Sequence, residues 1–159
     1  MTRTGIGYDS HRLAGGRALV IGGVQVPSER GLEGHSDADV LAHAVIDALL
    51  GAAALGDIGE RYPDSDERWR NADSMQLLGN VVESVIAAGL QIVNMDCTVV
   101  METPKLAPHR RAIRERLARA LGLDLASVSV KASTGEGIGF VGRGEGVAAL
   151  AIVNLCDAG

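Results

Sequence analysis

Aromatic residues are nearly absent. One Trp, two Tyr and one Phe make up 3% of the 159 residues, so the core must be packed from aliphatic side chains. Cysteine is limited to Cys97 and Cys156, with no CxxC spacing. That excludes a disulfide framework and fits a reducing compartment; both thiols are expected to be small buried hydrophobes. No apolar run approaches the ~18 residues of a membrane helix. The opening Met1-Thr2-Arg3-Thr4-Gly5 has none of the apolar stretch of a signal peptide. A cytoplasmic protein with no membrane partner is expected. Positive charge is in deficit: 15 Lys and Arg against 20 Asp and Glu give a net charge of −5. This argues against a nucleic-acid partner, which would require a basic excess, but leaves room for a local anion site.

Glycine, by contrast, is plentiful. Its 21 residues are roughly twice the average share of ~7%, which points to tight turns and close backbone approach. With 47% apolar and 22% charged residues, the chain is neither disordered nor a coiled coil. Its length suits one domain. Residues 3–9 read as a short strand, and 18–26 as two strand arms around Gly22-Gly23. A helix is predicted over 36–55, with Ser36 as N-cap and Val40, Leu41, Ala44, Val45, Ala48 and Leu49 at helical spacing. Residues 56–72 are polar and turn-rich, a long loop of the kind that is usually functional. A second helix is predicted over 73–88, capped by Asp73 and stopped by Gly89. A strand follows over 90–101. Pro108 opens a third helix that Gly122 closes, and strands are expected over 127–133 and 144–155. The fold class is α+β, a sheet with helices packed on one face.

Five segments carry candidate chemistry. In Asp9-Ser10-His11, side chains two apart on a strand point the same way, so a carboxylate and an imidazole face together. Alone, D-x-H equally describes polar residues at a strand end. His43 lies inside the first predicted helix, where a lone His is commonly just polar surface. Taken together, Asp9, His11 and His43 form a set typical of catalytic zinc, which leaves a fourth position for substrate. His35 and Ser36 precede the helix start, where free N–H groups favour an anion; simple capping explains Ser36 as well. Asp57, Asp64 and Asp66 combine turn chemistry with carboxylates able to accept from a polyol. In Lys131-Ala132-Ser133-Thr134-Gly135-Glu136-Gly137, hydroxyls, glycines and amides suit a phosphate, and Glu136 suits Mg²⁺. The segment is not a Walker A loop and reads equally well as a Gly-rich turn. In Gly142-Arg143-Gly144-Glu145-Gly146, alternate glycines thin the strand, and Arg143 and Glu145 are placed to pair. Arg110, Arg111, Arg114, Arg116 and Arg119 read as a solvated helix face. No GxSxG or other nucleophile signature occurs.

These pieces coincide. G-Y-D-S-H-R, V-I-G-G-V-Q-V-P, G-H-S-D-A-D-V-L-A-H-A-V-I-D-A-L-L-G-A-A-A-L-G-D-I-G, Y-P-D-S-D, T-P-K-L-A-P-H and K-A-S-T-G-E-G-I-G-F-V-G-R-G-E-G occur in that order from one end to the other. The chain resembles the 2-C-methyl-D-erythritol 2,4-cyclodiphosphate synthase family of non-mevalonate isoprenoid biosynthesis. The resemblance implies one synthase domain over 1–159, with no spare length for the cytidylyltransferase domain of bifunctional members. It implies conversion of 4-diphosphocytidyl-2-C-methyl-D-erythritol 2-phosphate to the cyclic diphosphate with release of CMP, a metal-dependent phosphorus–oxygen lyase reaction. Asp9, His11 and His43 would hold one Zn²⁺ per subunit, and Glu136 would hold Mg²⁺ or Mn²⁺ on the diphosphate. His35 and Thr134 would stabilise the transition state. Ser36, Asp57, Ile58 and Gly59, with Tyr62, Pro63, Asp64, Ser65 and Asp66, would line the methylerythritol side. Met101, Glu102, Thr103, Pro104, Lys105, Leu106 and Ala107 would form the cytidine pocket. Ser133, Thr134, Gly135 and Glu136 would form the phosphate loop. A homotrimer with active sites between subunits is implied. So is an isoprenoid diphosphate in a central cavity near Phe140 and Arg143.

Ser133 and Gly135 replace bulkier residues of the common loop, and Met101-Glu102-Thr103 departs in side chains where backbone groups would do the reading. A different class, a zinc- or nucleotide-binding regulator without turnover, would not need Asp9, His11, His35, His43, Thr134 and Glu136 together.

Overall fold

The computed structural model describes residues 1–159. A five-stranded sheet has the order β4-β1-β7-β5-β6. It is built from β1 (Thr2–Gly15), β4 (Arg30–Leu32), β5 (Leu90–Val100), β6 (Val128–Ser133) and β7 (Gly146–Asp157). β7 runs antiparallel to both β1 and β5, whereas β5 and β6 are parallel. The parallel pair needs a crossover, supplied by α4 (Arg110–Leu121). α1 (Val40–Ala53) lies across β1 and β7, with α3 (Ser74–Ala87) beside it. β2 (Leu19–Ile21) and β3 (Val24–Val26) form a separate hairpin. Gly22 and Gly23 both have positive φ, at 57° and 73°, as a two-residue turn that matches strand twist requires.

The expected mixed fold, with helices on one face, is observed. Several boundaries differ. The first strand continues six residues past the expected end, to Gly15, because β7 pairs with it from Thr2 to Arg12. α1 starts at Val40 rather than Ser36: Asp39 is the N-cap, accepting from the amides of Leu41 and Ala42. Ser36 instead accepts from Ala38 N–H in a local turn. The stretch 56–72 contains α2 (Ile58–Arg61) and a 3-10 turn at Glu67–Trp69, each capped by an aspartate, Asp57 and Asp66. Pro108 sits in a separate 3-10 turn (Ala107–His109) ahead of α4. α5 (Gly139–Gly142) is an additional short turn of helix, so β7 begins at Gly146 rather than 144. The caps at Asp73, Gly89 and Gly122 fall where the sequence puts them.

α1 is buried on nearly every side, as its continuous apolar sequence demands. His43, Asp47 and Gly51 are not buried, and their i, i+4, i+8 spacing makes one stripe. The adjoining stripe of α1, Ala44, Ala48 and Ala52, presses on Gly5 and Gly7 of β1, where there is no room for side chains. A Cβ on Gly7 would overlap the Ala44 carbonyl, and one on Gly5 the Ala48 carbonyl. Two glycines thus set the distance between helix and strand.

The other face of the sheet has no helix. Even-numbered residues of β1 and β7 point there, including Ile6 (67% exposed), Tyr8 (54%), Leu150 and Ile152. Cys97 is buried, as expected, but Cys156 is only half-buried because it lies near the edge of this open face. No helix is long and apolar enough to cross a membrane.

Candidate functional site

The longer β1 has a direct consequence. Asp9 and His11 are mid-strand neighbours on the helix side, opposite Ala149 and Val147 of β7. Because α1 sits close, His43 reaches them. Asp9 Oδ2 lies 2.8 Å from His11 Nε2 and 3.0 Å from His43 Nδ1, and the two ring nitrogens are 3.2 Å apart.

Hydrogen bonding identifies the protonated nitrogens. His11 Nδ1 is 2.6 Å from the Glu33 carbonyl; a carbonyl only accepts, so Nδ1 carries the proton and Nε2 presents a lone pair. His43 Nε2 is 2.8 Å from the Ser74 hydroxyl, which leaves Nδ1 facing Asp9. A carboxylate oxygen and two ring nitrogens therefore converge with no fixed donor among them. Such a group repels itself unless a proton or a cation lies between. The edges of a tetrahedron with ~2 Å metal–ligand bonds are about 3.3 Å, close to the separations found. The three residues thus fit a divalent metal by donor type, number and spacing.

Charge tells the same story. Burial pushes the Asp9 carboxyl up, but the two imidazoles set against it, by contact and charge, outweigh burial and hold it at about 2. Burial pushes His11 down, yet the hydrogen bond and charge of Asp9, helped by the Glu33 carbonyl and Asp64, raise it above the usual imidazole value.

The cluster floors a cleft of 340 Å³. Of the residues singled out from sequence, His35, Ser36, Ile58, Gly59, Tyr62, Pro63 and Asp64 share its wall. His35 Nε2 donates to the Asp66 carbonyl at 3.1 Å, tying the helix approach to the 56–72 stretch. Asp57 and Asp66 are committed locally: Asp57 accepts from Glu60 N–H, and Asp66 is paired with Arg68. Ser65 is exposed.

A second cleft of 220 Å³ takes Met101, Lys105, Leu106, Ala107, Ser133 and Thr134. Met101 and Leu106 are buried. Glu102 accepts from Gly135 N–H at 2.6 Å, joining this segment to the loop of Ser133 to Glu136. Glu136 accepts from the Thr134 hydroxyl and has positive φ, 53°. Thr103 and Pro104 line a separate surface hollow. Phe140 lines another with Arg12 and Glu145, and Arg143 is paired with Glu145 at 2.8 Å.

The two clefts are not one. β1 and β6 are separated by β7 and β5, about 14 Å at ~4.8 Å per strand. Within one chain, the metal-type cluster and the phosphate-type loop face different spaces.

Sequence reasoning passed over four residues. Trp69 and Leu77 line the first cleft; Trp69 packs edge-on against Tyr62. Asp47 accepts from Ile58 N–H at 2.8 Å, securing the start of α2, which carries Gly59. Its i+4 spacing from His43 was the available signal. Ser74 had none, being simply the residue after a cap. The arginine-rich helix is also not wholly solvated. Arg114 donates to the Val128 and Leu125 carbonyls, and Arg110 lines the second cleft.

The profile of the YgbB family matches residues 2–156. A 2-C-methyl-D-erythritol 2,4-cyclodiphosphate synthase of Salinibacter ruber is 60% identical over 98% of this chain and 99% of its own. A solved synthase structure with CDP bound is 39% identical, with a TM-score of 0.90, covering 97% of this chain and 100% of that one. The bifunctional IspDF of Campylobacter jejuni is 45% identical with a TM-score of 0.95; 99% of this chain matches 43% of that one.

Proposed function

The chain belongs to the YgbB family, that of the 2-C-methyl-D-erythritol 2,4-cyclodiphosphate synthases, and on that premise we propose that it cyclises 4-diphosphocytidyl-2-C-methyl-D-erythritol 2-phosphate with release of CMP. The observation that carries this reading is the lone-pair cluster of Asp9, His11 and His43 at the floor of a cleft walled by His35 and Ser36.

In the proposed reaction an oxygen of the 2-phosphate bonds to the β-phosphorus. The bond from that phosphorus to the oxygen bridging it to the α-phosphorus breaks, and CMP departs with the bridging oxygen. The nucleophile is already an anion, so no strong base is needed. Catalysis is then positioning and charge neutralisation. Asp9, His11 and His43 would hold Zn²⁺ and Glu136 would hold Mg²⁺ or Mn²⁺; such ions neutralise and orient diphosphate oxygens. His35 and the Thr134 hydroxyl would donate to charge that develops on the transferred phosphoryl group. Ile58, Gly59, Tyr62, Pro63 and Asp64, with Ser65 and the neighbouring Asp57 and Asp66, would hold the methylerythritol. Main-chain groups of 101–107 would read the cytosine edge.

The reading includes a cytoplasmic homotrimer with sites between subunits. Two features support it: an uncovered sheet face bearing Ile6, Tyr8, Leu150 and Ile152, and the separation of the clefts within one chain. It also includes an isoprenoid diphosphate near Phe140 and Arg143 on the trimer axis. Stabilisation by geranyl diphosphate in a thermal-shift assay, abolished in Arg143→Ala, is the expected result.

Phosphorus NMR of the protein with this substrate, Zn²⁺ and Mg²⁺ tests the function. CMP and a cyclic diphosphate should appear, and should be absent with His43→Ala. Unchanged substrate in a folded, zinc-loaded protein would leave a binding protein without turnover.

A further inference from the structure

His43 is held from behind by a chain of residues outside the cleft wall. Its Nε2 lies 2.8 Å from Ser74 Oγ. Ser74 Oγ in turn donates to Asp37 Oδ1, while Asp37 Oδ2 accepts the Ser74 backbone N–H at 3.1 Å. Ser74 is fully buried as the first residue of α3, after the capping Asp73. Asp37 is gripped on both sides, since its Oδ1 also accepts from Asp39 N–H at 3.1 Å.

Proton counting gives this chain a direction. A carboxylate only accepts, so the single Ser74 hydroxyl proton points to Asp37. The Ser74 oxygen can then face His43 only with a lone pair. It accepts from Nε2–H and so draws the His43 proton there, against the Asp9 carboxylate 3.0 Å from Nδ1 that would draw it to the other nitrogen. Ser36 Oγ also lies 3.2 Å from Nε2, but no carboxylate fixes its proton, so it can donate or accept and selects neither tautomer.

We propose that Ser74, oriented by Asp37, is a positioning residue that locks His43 in the Nε2–H tautomer and aims Nδ1 at the metal. The arrangement parallels what the Glu33 carbonyl does for His11, with a hydroxyl and carboxylate in place of the carbonyl. Outer partners of this kind are worth roughly 10–100-fold in metal affinity. The proposal rests on the reading of Asp9, His11 and His43 as a metal site.

The test is Zn²⁺ affinity by chelator competition on the full chain, beside long-range ¹⁵N–¹H spectra of the His43 ring in metal-free protein. Wild type should bind Zn²⁺ and show Nε2–H. Ser74→Ala should lose roughly 10–100-fold in affinity and show a mixed or Nδ1–H ring, while Ser74→Thr, which keeps the hydroxyl, should restore both. Asp37→Asn can turn a donor toward Ser74, reverse the hydroxyl, and so shift the ring toward Nδ1–H; it carries the test if Ser74→Ala does not fold. Unchanged affinity and tautomer in folded Ser74→Ala or Asp37→Asn would overturn the proposal. Failure of wild type to bind Zn²⁺ would overturn it together with the metal reading, and the wild-type titration separates the two outcomes.

Discussion

Removing the carboxylate of Asp39 should be among the costliest changes the fold can suffer, though Asp39 touches no cleft. It is completely buried and uncompensated by any cation. Burial pushes its carboxyl up, and backbone N–H groups of Ala42, Gly23 and Gly22 pull against that. Oδ1 accepts from Gly22 at 2.8 Å, Ala42 at 3.0 Å and Leu41 at 3.2 Å. Oδ2 accepts from Gly23 at 2.6 Å. One side chain thus caps α1 and fastens the β2–β3 hairpin to it. Asp39→Ala loses the cap, about 1 kcal/mol, and leaves the Gly22 and Gly23 donors unpaired, about 1–3 kcal/mol each. The expected loss is roughly 3–7 kcal/mol, against a total stability of about 5–15. Asp39→Asn keeps Oδ1 and turns an amide on Gly23, costing about 1–3 kcal/mol. Urea melts of the metal-free protein should rank wild type above Asn above Ala, with the Asn variant unfolding at a lower urea concentration than wild type. An Ala variant as stable as wild type would refute the reasoning. It would mean that relief of the buried charge outweighs four lost hydrogen bonds.

Metal uptake should weaken in acid. A cation must displace the proton from His11, whose value is raised by Asp9. Apparent Zn²⁺ affinity should therefore fall about tenfold per pH unit below the His11 value, while Asp9, at about 2, stays charged. Titrations at about pH 8 and about pH 6 check this. Gly7→Ala should force α1 off β1, because its Cβ would meet the Ala44 carbonyl. A stability loss of about 1–3 kcal/mol is expected by denaturant melt, with weaker Zn²⁺ binding as His43 is moved from Asp9. Charging the open sheet face with Ile6→Lys and Ile152→Lys should give monomers by sedimentation, with wild type assembled. Cys97, buried and with its thiol pushed up to about 12, should resist alkylation in the native protein; rapid labelling would contradict its placement.

How far the site was readable depended on whether one element or several decide it. The period-2 logic of Asp9 and His11 needed only a strand, and the strand proved longer than its apolar residues suggested. Its second half is polar because it borders the cleft. His43 was readable as a helical residue, but its reach to Asp9 depends on Gly5 and Gly7, whose missing side chains carry no periodic signal. Ser36 looked like a cap and Asp39 like a helix residue. The order is reversed because Asp39 gains two further donors from the distant Gly22-Gly23 turn. Ser74 and Asp37 were invisible for the same reason: their roles exist only once α3 is packed beside α1. The sheet order was likewise unreadable, since β7 inserts between β1 and β5 from the end of the chain.

The placement of the two clefts at opposite margins of the sheet has a genetic meaning. If each working site draws the metal cluster from one copy and the phosphate loop from its neighbour, damage to either half spoils only one contribution. Two inactive alleles, one altered at His43 and one at Thr134, would then complement when co-expressed. In randomly mixed rings about a quarter of the sites would pair two intact halves. Two alleles altered on the same side would never rescue each other. A cell carrying one damaged copy and one sound copy would keep some intact sites in its mixed rings, so such lesions should be recessive.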